Sequence, residues 1–199
     1  MPIDPMDSVD REDTPADKAA SRLNTWVALT VALLATFTGI CGIKDNNIGQ
    51  GMQQAQADKL DHWAFYQARN IREEVDVTTA AQLKLTALSL SGARRQAYDS
   101  LAQGYEAMAA DQKVKKDSLR TQAEADQANY DALNYRDDQF DLSDALIALA
   151  ISLLALTALT HKRWLFLVAL VPTILGVLMG LSGLLGWHIH PDTITRLLS

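Results

Sequence analysis

Residues 157–168 read TALTHKRWLFLV, and in this stretch two apolar runs are separated by only His161, Lys162 and Arg163. The run before this cluster, residues 145–160, contains no charge, and its apolar pattern reaches back to Leu142 across Asp144. The run after it, residues 164–187, is also uncharged. A helix rises about 1.5 Å per residue, so about 20 residues cross a hydrocarbon core of about 30 Å. The stretch therefore predicts two transmembrane helices, 142–160 and 164–187, joined by a short loop, 161–163.

A third uncharged run, TWVALTVALLATFTGICGI, occupies residues 25–43. The whole-chain averages hide these runs: a net charge of -6 and a mean hydropathy of -0.04 would suit a soluble acidic protein. Three buried core helices are the alternative, but the rest of the chain is too polar to wrap them. We therefore predict an all-α protein with three transmembrane helices.

The segment before the first run, residues 1–24, is acidic and contains three prolines. We expect a disordered tail there. An acidic start is also unlike a signal peptide, which opens with a short basic segment. Cys41 is the only cysteine, so an internal disulfide is excluded, and it reads as a small apolar residue of the first helix.

Between the first two runs lie residues 44–141, a polar and proline-free segment with a helix-forming composition. Because the chain must return to the membrane, we expect an extramembrane helical hairpin, coiled-coil-like in character. Ser91 and Gly92 form a turn pair near its midpoint. A competing turn lies at residues 75–79, VDVTT, where β-branched residues lower the helix propensity.

Heptad spacing in this segment is weak but present on both arms. We expect the arms to pair, or copies of the protein to pair, through one face of each arm. The predicted face of the outgoing arm is Leu119, Ala123, Asp126, Tyr130, Leu133, Asp137 and Phe140, and that of the incoming arm is Leu60, Ala64, Ala68, Ile71 and Val75.

Positive charge in short loops is retained on the cytoplasmic side of a membrane. Lys162 and Arg163 lie in the only short loop, and Lys18 and Arg22 precede the first run. The N-terminus and the loop are therefore expected in the cytoplasm. Residues 44–141 and the short C-terminal tail, 188–199, are expected outside it, because loops longer than about 60 residues escape the rule.

Two sets of residues are candidate contact sites. Trp63, Phe65 and Tyr66 cover more than one helix face, so they either pack against the other arm or form a docking surface. In the last helix, Gly176, Gly180 and Gly183 lie at a spacing that lets helix backbones approach closely. Ala28, Ala32, Ala35 and Gly39 in the first helix, and Ala148, Ser152 and Ala155 in the second, could serve the same purpose. Packing within one chain and dimerisation through the third helix both fit the glycines.

Residues that could support chemistry are sparse. Asp144 lies at the entrance of the second run, where Asp141 or Ser143 could cap a helix start. His188 and His190 form an H-x-H pair without further ligands near in sequence. The sequence shows no nucleotide-binding, nucleophile-elbow or zinc motif, and the acidic balance gives no footprint for nucleic acid. We expect no enzyme, no cofactor, no bound metal and no small-molecule substrate.

Long segments of the chain, 23–72 and 135–167, resemble the bacterial family DUF4337. The most specific pieces are WAFYQA at 63–68, FDLSDALI at 140–147 and LTHKRW at 159–164. The resemblance brings no catalytic or ligand-binding residues. It implies a helix, a long helical insert, a closing transmembrane pair, and a place in the bacterial inner membrane.

Two functions remain open at this stage. The first is an interaction or scaffold protein of the inner membrane whose external hairpin binds a protein partner or a second copy. The second is an accessory subunit of a membrane transport system, which would predict a polar path through the helices. The sequence shows no such path.

Overall fold

The computed structural model describes residues 15–187 and residue 189, and this part of the chain is all-α. Three helices follow one another: α1 is Pro15–Ala87, α2 is Gly92–Thr160 and α3 is Arg163–Leu185. Each contains a stretch that is long and apolar enough to cross a membrane. The all-α class is confirmed, and one apolar run of the sequence falls in each helix.

The prediction of a disordered tail over residues 1–24 is wrong for its second part, because α1 begins at Pro15. Proline is favoured at the first helical position, where its φ is already helical and its missing N–H would have no helical partner. Ala16, Ala19 and Ala20 then favour the helix. Residues 1–14 lie outside the described residues, as does the C-terminal tail 188–199 apart from Ile189.

The break between α1 and α2 falls at residues 88–91. The end of α1 tightens into a turn in which the backbone N–H of Ser89 and of Leu90 donates to the carbonyl oxygen three residues earlier. Gly92 then adopts a positive φ of 61°, which glycine accepts without a steric penalty. Residues 75–79 lie inside α1, so the competing turn is not found there.

The connection between α2 and α3 consists of His161 and Lys162, one residue fewer than the predicted loop. The His161 N–H donates to the Thr157 carbonyl oxygen, and His161 takes a positive φ of 54°. Lys162 is extended and precedes the first turn of α3.

The chain divides into two compact units. We call residues 49–134 the arm unit, and the unit formed by residues up to 48 and from 135 onward the bundle unit. The arm unit is shorter at both ends than the predicted extramembrane segment, 44–141.

In the arm unit, positions that recur in steps of three and four residues are buried or half-buried. Contacts between side chains pair early α1 with late α2, as in His62 with Asp126 and Arg69 with Gln112, so the two helices are antiparallel here. Every fully buried apolar residue described in this unit is an alanine. The buried or half-buried positions at this spacing are Met52, Ala55, Lys59, His62, Tyr66, Arg69, Glu73, Asp76, Ala80, Leu83 and Ala87 on α1, and Ala102, Tyr105, Ala109, Gln112, Lys116, Leu119, Ala123, Asp126, Tyr130 and Leu133 on α2.

The predicted inner face of the outgoing arm agrees with this pattern, but that of the incoming arm is wrong. Leu60, Ala64, Ala68, Ile71 and Val75 are all exposed. The inner face of α1 is built instead mostly from alanines and polar residues, with Met52, Tyr66 and Leu83 half-buried among them. Small alanine side chains let two helices lie close together, and polar pairs fill the positions between them.

The bundle unit has a conventional apolar core. It is formed by Val27 and Leu34 of α1, Ile147, Ala150 and Leu154 of α2, and Ala169 of α3. The small-residue faces expected on α1 and α2 are not part of it, since Ala28, Ala32, Ala35, Gly39, Ala148, Ser152 and Ala155 are exposed. Large side chains of α1 and α2 face α3 instead, and α3 supplies the small ones.

Candidate interaction surfaces and packing sites

The three aromatic residues predicted as a contact site do not form one surface. Trp63 and Tyr66 are half-buried on α1 and pack edge to face, with ring centroids 5.3 Å apart. The Lys116 ammonium group of α2 lies 5.8 Å from the centroid of the Tyr66 ring. Phe65 is different, with 60% of its surface exposed. Tyr66 therefore takes part in the contact between the arms, and Phe65 is exposed.

Phe65 borders an apolar stripe on the outer face of α1. The stripe, as we use the term, consists of Leu60, Ala64, Ala68, Ile71 and Val75. Its three large side chains, those of residues 60, 71 and 75, are 62%, 61% and 57% exposed. Transfer of apolar surface out of water is worth about 25 cal/mol per Å², so a second surface that covered the stripe would gain free energy.

Polar pairs hold the inner faces of the arms together. His62 Nδ1 lies 2.7 Å from the Asp126 carboxylate. Lys116 Nζ donates to Glu73 over 2.6 Å and to the Asn70 side-chain oxygen over 3.0 Å. Such half-buried polar pairs contribute less to stability than apolar contacts, but a member left without its partner is costly. Polar pairs thus contribute to the contact between the arms, while the large apolar side chains of Leu60, Ile71 and Val75 are exposed on the other face of α1.

The three glycines of α3 lie buried against the other two helices of the bundle unit. A Cβ built on Gly176 would lie 2.8 Å from Ile147, one on Gly180 would lie 2.7 Å from the Phe37 ring, and one on Gly183 would lie 2.8 Å from the Phe140 ring. Real Cβ atoms essentially never come so close to another heavy atom. This face of α3 is therefore covered within one chain, which favours packing inside the bundle over dimerisation through it.

Two further side chains tie α2 to the C-terminal end of α3, and the sequence reading missed both. The Gln139 amide nitrogen donates to the carbonyl oxygens of Trp187 and Ile189, at 2.9 and 2.8 Å, and approaches the Ser182 hydroxyl at 3.1 Å. Arg136 donates to the Gly183 carbonyl oxygen at 2.8 Å. Gly183 lies in the last turn of α3, where carbonyl groups have no helical partner, and Trp187 and Ile189 follow the end of the helix. The signal in the sequence that could have pointed to Gln139 and Arg136 is their place just before the apolar run of α2.

The predicted capping role of Asp141 or Ser143 is wrong, because α2 runs unbroken through these residues and has no N-terminus there. Ser143 is fully buried and donates its hydroxyl to the Gly176 carbonyl oxygen over 2.8 Å. Its role is contact between helices.

Carboxyl groups gather at the same end of the bundle unit, where Asp45 of α1 meets Asp137, Asp138 and Asp141 of α2. Burial, together with the charges of Asp45 and Asp141 and a hydrogen bond with Asp45, raises the pKa of Asp137 to about 6. Burial and the charge of Asp45 also raise the pKa of Asp141. Among the described residues no group of three His, Cys, Asp or Glu side chains could hold a metal ion. His188 and His190 lie outside the described residues.

The fold and these contacts define a class: an all-α protein of three helices, each with a stretch apolar enough to cross a membrane, and a polar antiparallel arm unit between the first two stretches. The family described as a domain of unknown function, DUF4337, matches residues 23–186. The chain belongs to this family. Comparison with curated proteins and with solved structures gives no match.

Proposed function

We propose that this protein is an integral protein of the bacterial inner membrane, spanned by residues 25–43, 142–160 and 164–187. The first two segments lie wholly in a helix, and the third does so as far as Leu185, where α3 ends. Each carries at most one charge and has the length that a bilayer requires. A helix satisfies its own backbone hydrogen bonds, as a spanning segment must. The assignment to bacteria rests on the resemblance to the family.

The charge of the short connection between α2 and α3 sets the proposed orientation. Lys162 and Arg163 are exposed, and they lie between two apolar stretches. The positive-inside rule places them, and the N-terminus, in the cytoplasm. The arm unit then lies outside the cytoplasm as a helical hairpin, with the C-terminal tail on the same side.

The arm unit, in this proposal, is an interaction or scaffold element and not an enzyme active site. The exposed stripe on α1, with Phe65 beside it, carries this proposal. Large apolar side chains at helical spacing are the anchors that a groove or a second helix recognises. The arms do not use them, because the contact between the arms lies on the other face of α1, where the buried residues are alanines and polar pairs link the helices.

A photo-crosslinking amino acid placed at Ile71 tests the proposal in membranes of cells that produce the full chain. We expect discrete protein adducts at this position. Val114 is the matched control, because it is 71% exposed in the same unit but belongs to α2 and not to the stripe. Two differently tagged copies of the protein distinguish a second copy from another partner.

A second experiment replaces the apolar residues of the stripe around the crosslinker at Ile71. Leu60→Gln and Val75→Gln together remove most of the remaining apolar surface of the stripe, and both positions are exposed, so the fold should tolerate them. Loss of the Ile71 adducts is expected. If Ile71 gives no more adducts than Val114, the stripe faces only water and the proposed interaction role is wrong.

A further inference from the structure

The bundle unit contains a groove between the N-terminal parts of α1 and α3. It has a volume of about 400 Å³ and is lined by Ala19, Arg22, Leu23, Trp26, Arg163, Phe166 and Leu167. α1 supplies the first four of these residues and α3 the other three. The groove therefore joins two helices at the same end of their apolar runs, since Arg22 lies just before residues 25–43 and Arg163 just before residues 164–187.

The lining of the groove combines positively charged and apolar side chains. Two guanidinium groups, Arg22 and Arg163, lie among its lining, and the other side chains are apolar. Both arginines are exposed, and neither forms an ion pair or a side-chain hydrogen bond with another described residue. Trp26 is 61% exposed. Arginine binds phosphate oxygens through two parallel hydrogen bonds, and tryptophan is favoured where a bilayer meets water.

We infer that this groove binds an anionic phospholipid of the cytoplasmic leaflet. Arg22 and Arg163 hold its phosphate group, and the start of an acyl chain lies along Trp26, Phe166 and Leu167. The inference rests on the proposed membrane placement, because that placement puts the arginines at headgroup depth and the aromatic side chains just below them. Basic pockets between transmembrane helices on the cytoplasmic side bind anionic lipid headgroups for the same reason.

Native mass spectrometry of the full chain, purified in detergent, tests the inference by titration with phosphatidylglycerol and with phosphatidylcholine. Basic residues near a membrane surface are worth about 1 kcal/mol each toward anionic lipid, so two arginines should favour phosphatidylglycerol by a factor of about 30. The Arg22→Gln/Arg163→Gln double variant should bind the two lipids equally. Arg72→Gln/Arg94→Gln is the matched control: it removes two exposed arginines from the arm unit and should keep the preference.

Two more measurements distinguish binding of the whole lipid from binding of a phosphate group alone. Inorganic phosphate should compete with phosphatidylglycerol only weakly, because it lacks the acyl chain; equal competition would overturn the role of the apolar wall. The Arg22→Lys/Arg163→Lys variant keeps the charge but loses paired hydrogen bonding, so it should bind phosphatidylglycerol with intermediate affinity while remaining folded.

Two outcomes would overturn the inference as a whole. One is an equal affinity of the unmodified chain for the two lipids. The other is a preference for phosphatidylglycerol that appears only after residues 1–14 are deleted, since the acidic segment would then be the occupant of the groove. Failure of the membrane placement itself is distinguished separately, because the protein would then fractionate without membranes and bind neither lipid.

Discussion

The Ser143 hydroxyl donates to the Gly176 carbonyl oxygen over 2.8 Å, and the Ser143 carbonyl oxygen lies 3.2 Å from where a Cβ on Gly176 would be. The hydrogen bond from Ser143 requires α2 and α3 to lie close together here, and they can do so because Gly176 has no side chain. The bundle is held at this point by a polar contact that only a glycine leaves room for.

Gly176→Ala should lower the free energy of unfolding by about 1–3 kcal/mol, because the added Cβ meets Ile147, Leu146 and backbone and so cannot be accommodated by one flexible side chain. Gly180→Ala should cost less, since its nearest neighbours include the far end of the Phe37 ring, which can move. Thermal unfolding in detergent, with the oligomeric state followed by light scattering, measures both.

Gly39→Ala is the control for this series, because no atom lies within 4 Å of its Cβ position on α1. It should leave the stability unchanged or raise it by up to about 1 kcal/mol, because alanine favours a helix more than glycine does. If Gly176→Ala dissociates a dimer without lowering the stability of the chain, the glycine face of α3 forms contacts between chains and does not pack within one chain.

The polar pair of His62 and Asp126 yields a prediction for the arm unit. Removal of one partner, as in Asp126→Leu, should destabilise the arms by on the order of 1–2 kcal/mol, because the imidazole is left half-buried without its acceptor. The double variant His62→Leu/Asp126→Leu should recover most of that loss. Hydrogen–deuterium exchange of peptides from residues 55–70 and 119–133 reports the local stability in the full chain. Additive losses in the double variant would show that the two residues are not coupled.

Asp137 should make the stability of the bundle unit depend on pH. Its pKa of about 6 in the folded chain exceeds the ordinary value of 3.8, so the folded state binds more protons between these two values. Stability should therefore rise as the pH falls from about 6 toward 4, and it should be lower and level above pH 6. Thermal unfolding as a function of pH measures this slope.

Asp137→Asn tests the assignment, since the amide resembles the protonated carboxyl group. The variant should be more stable than the unmodified chain at pH 7 and should show a smaller slope between pH 4 and 6, with the remainder due to Asp141. Asp61→Asn, at an exposed position of the arm unit, should keep the original slope. An unchanged slope in Asp137→Asn would place the titrating group elsewhere.

The helices and the break near Gly92 could be predicted from the sequence, because uncharged runs and turn residues are local signals. The inner face of the incoming arm could not. The heptad rule looks for large apolar residues at the contact, and α1 places Leu60, Ile71 and Val75 on the opposite face. Alanines and charged pairs such as Glu73 with Lys116 form the contact instead. A pairing of this kind depends on the partner helix, so one helix alone does not reveal it.

The packed face of α3 could be predicted from the sequence only in part. Small residues at a fixed spacing did point to the packed face of α3, yet the same reasoning picked Ala28 and Ala148, which are exposed. In the bundle unit each of the glycines of α3 faces a large side chain on another helix. Only a structure shows that α3 supplies the small residues and that Phe37, Phe140 and Ile147 supply the large ones.

The proposed orientation can be tested with single cysteines in a Cys41→Ala background. Ser118 is exposed in the arm unit and Lys162 is exposed between α2 and α3, so either position should react when a reagent reaches it. In whole cells with a permeable outer envelope, a thiol reagent that does not cross the inner membrane should label Ser118→Cys and leave Lys162→Cys unlabelled. Both should label after the membrane is disrupted, which controls for accessibility. Cys41 is 1% exposed, so its replacement removes a background signal that is already small. Labelling of position 162 without position 118 in intact cells would reverse the orientation, because two positive charges would then lie outside against the positive-inside rule.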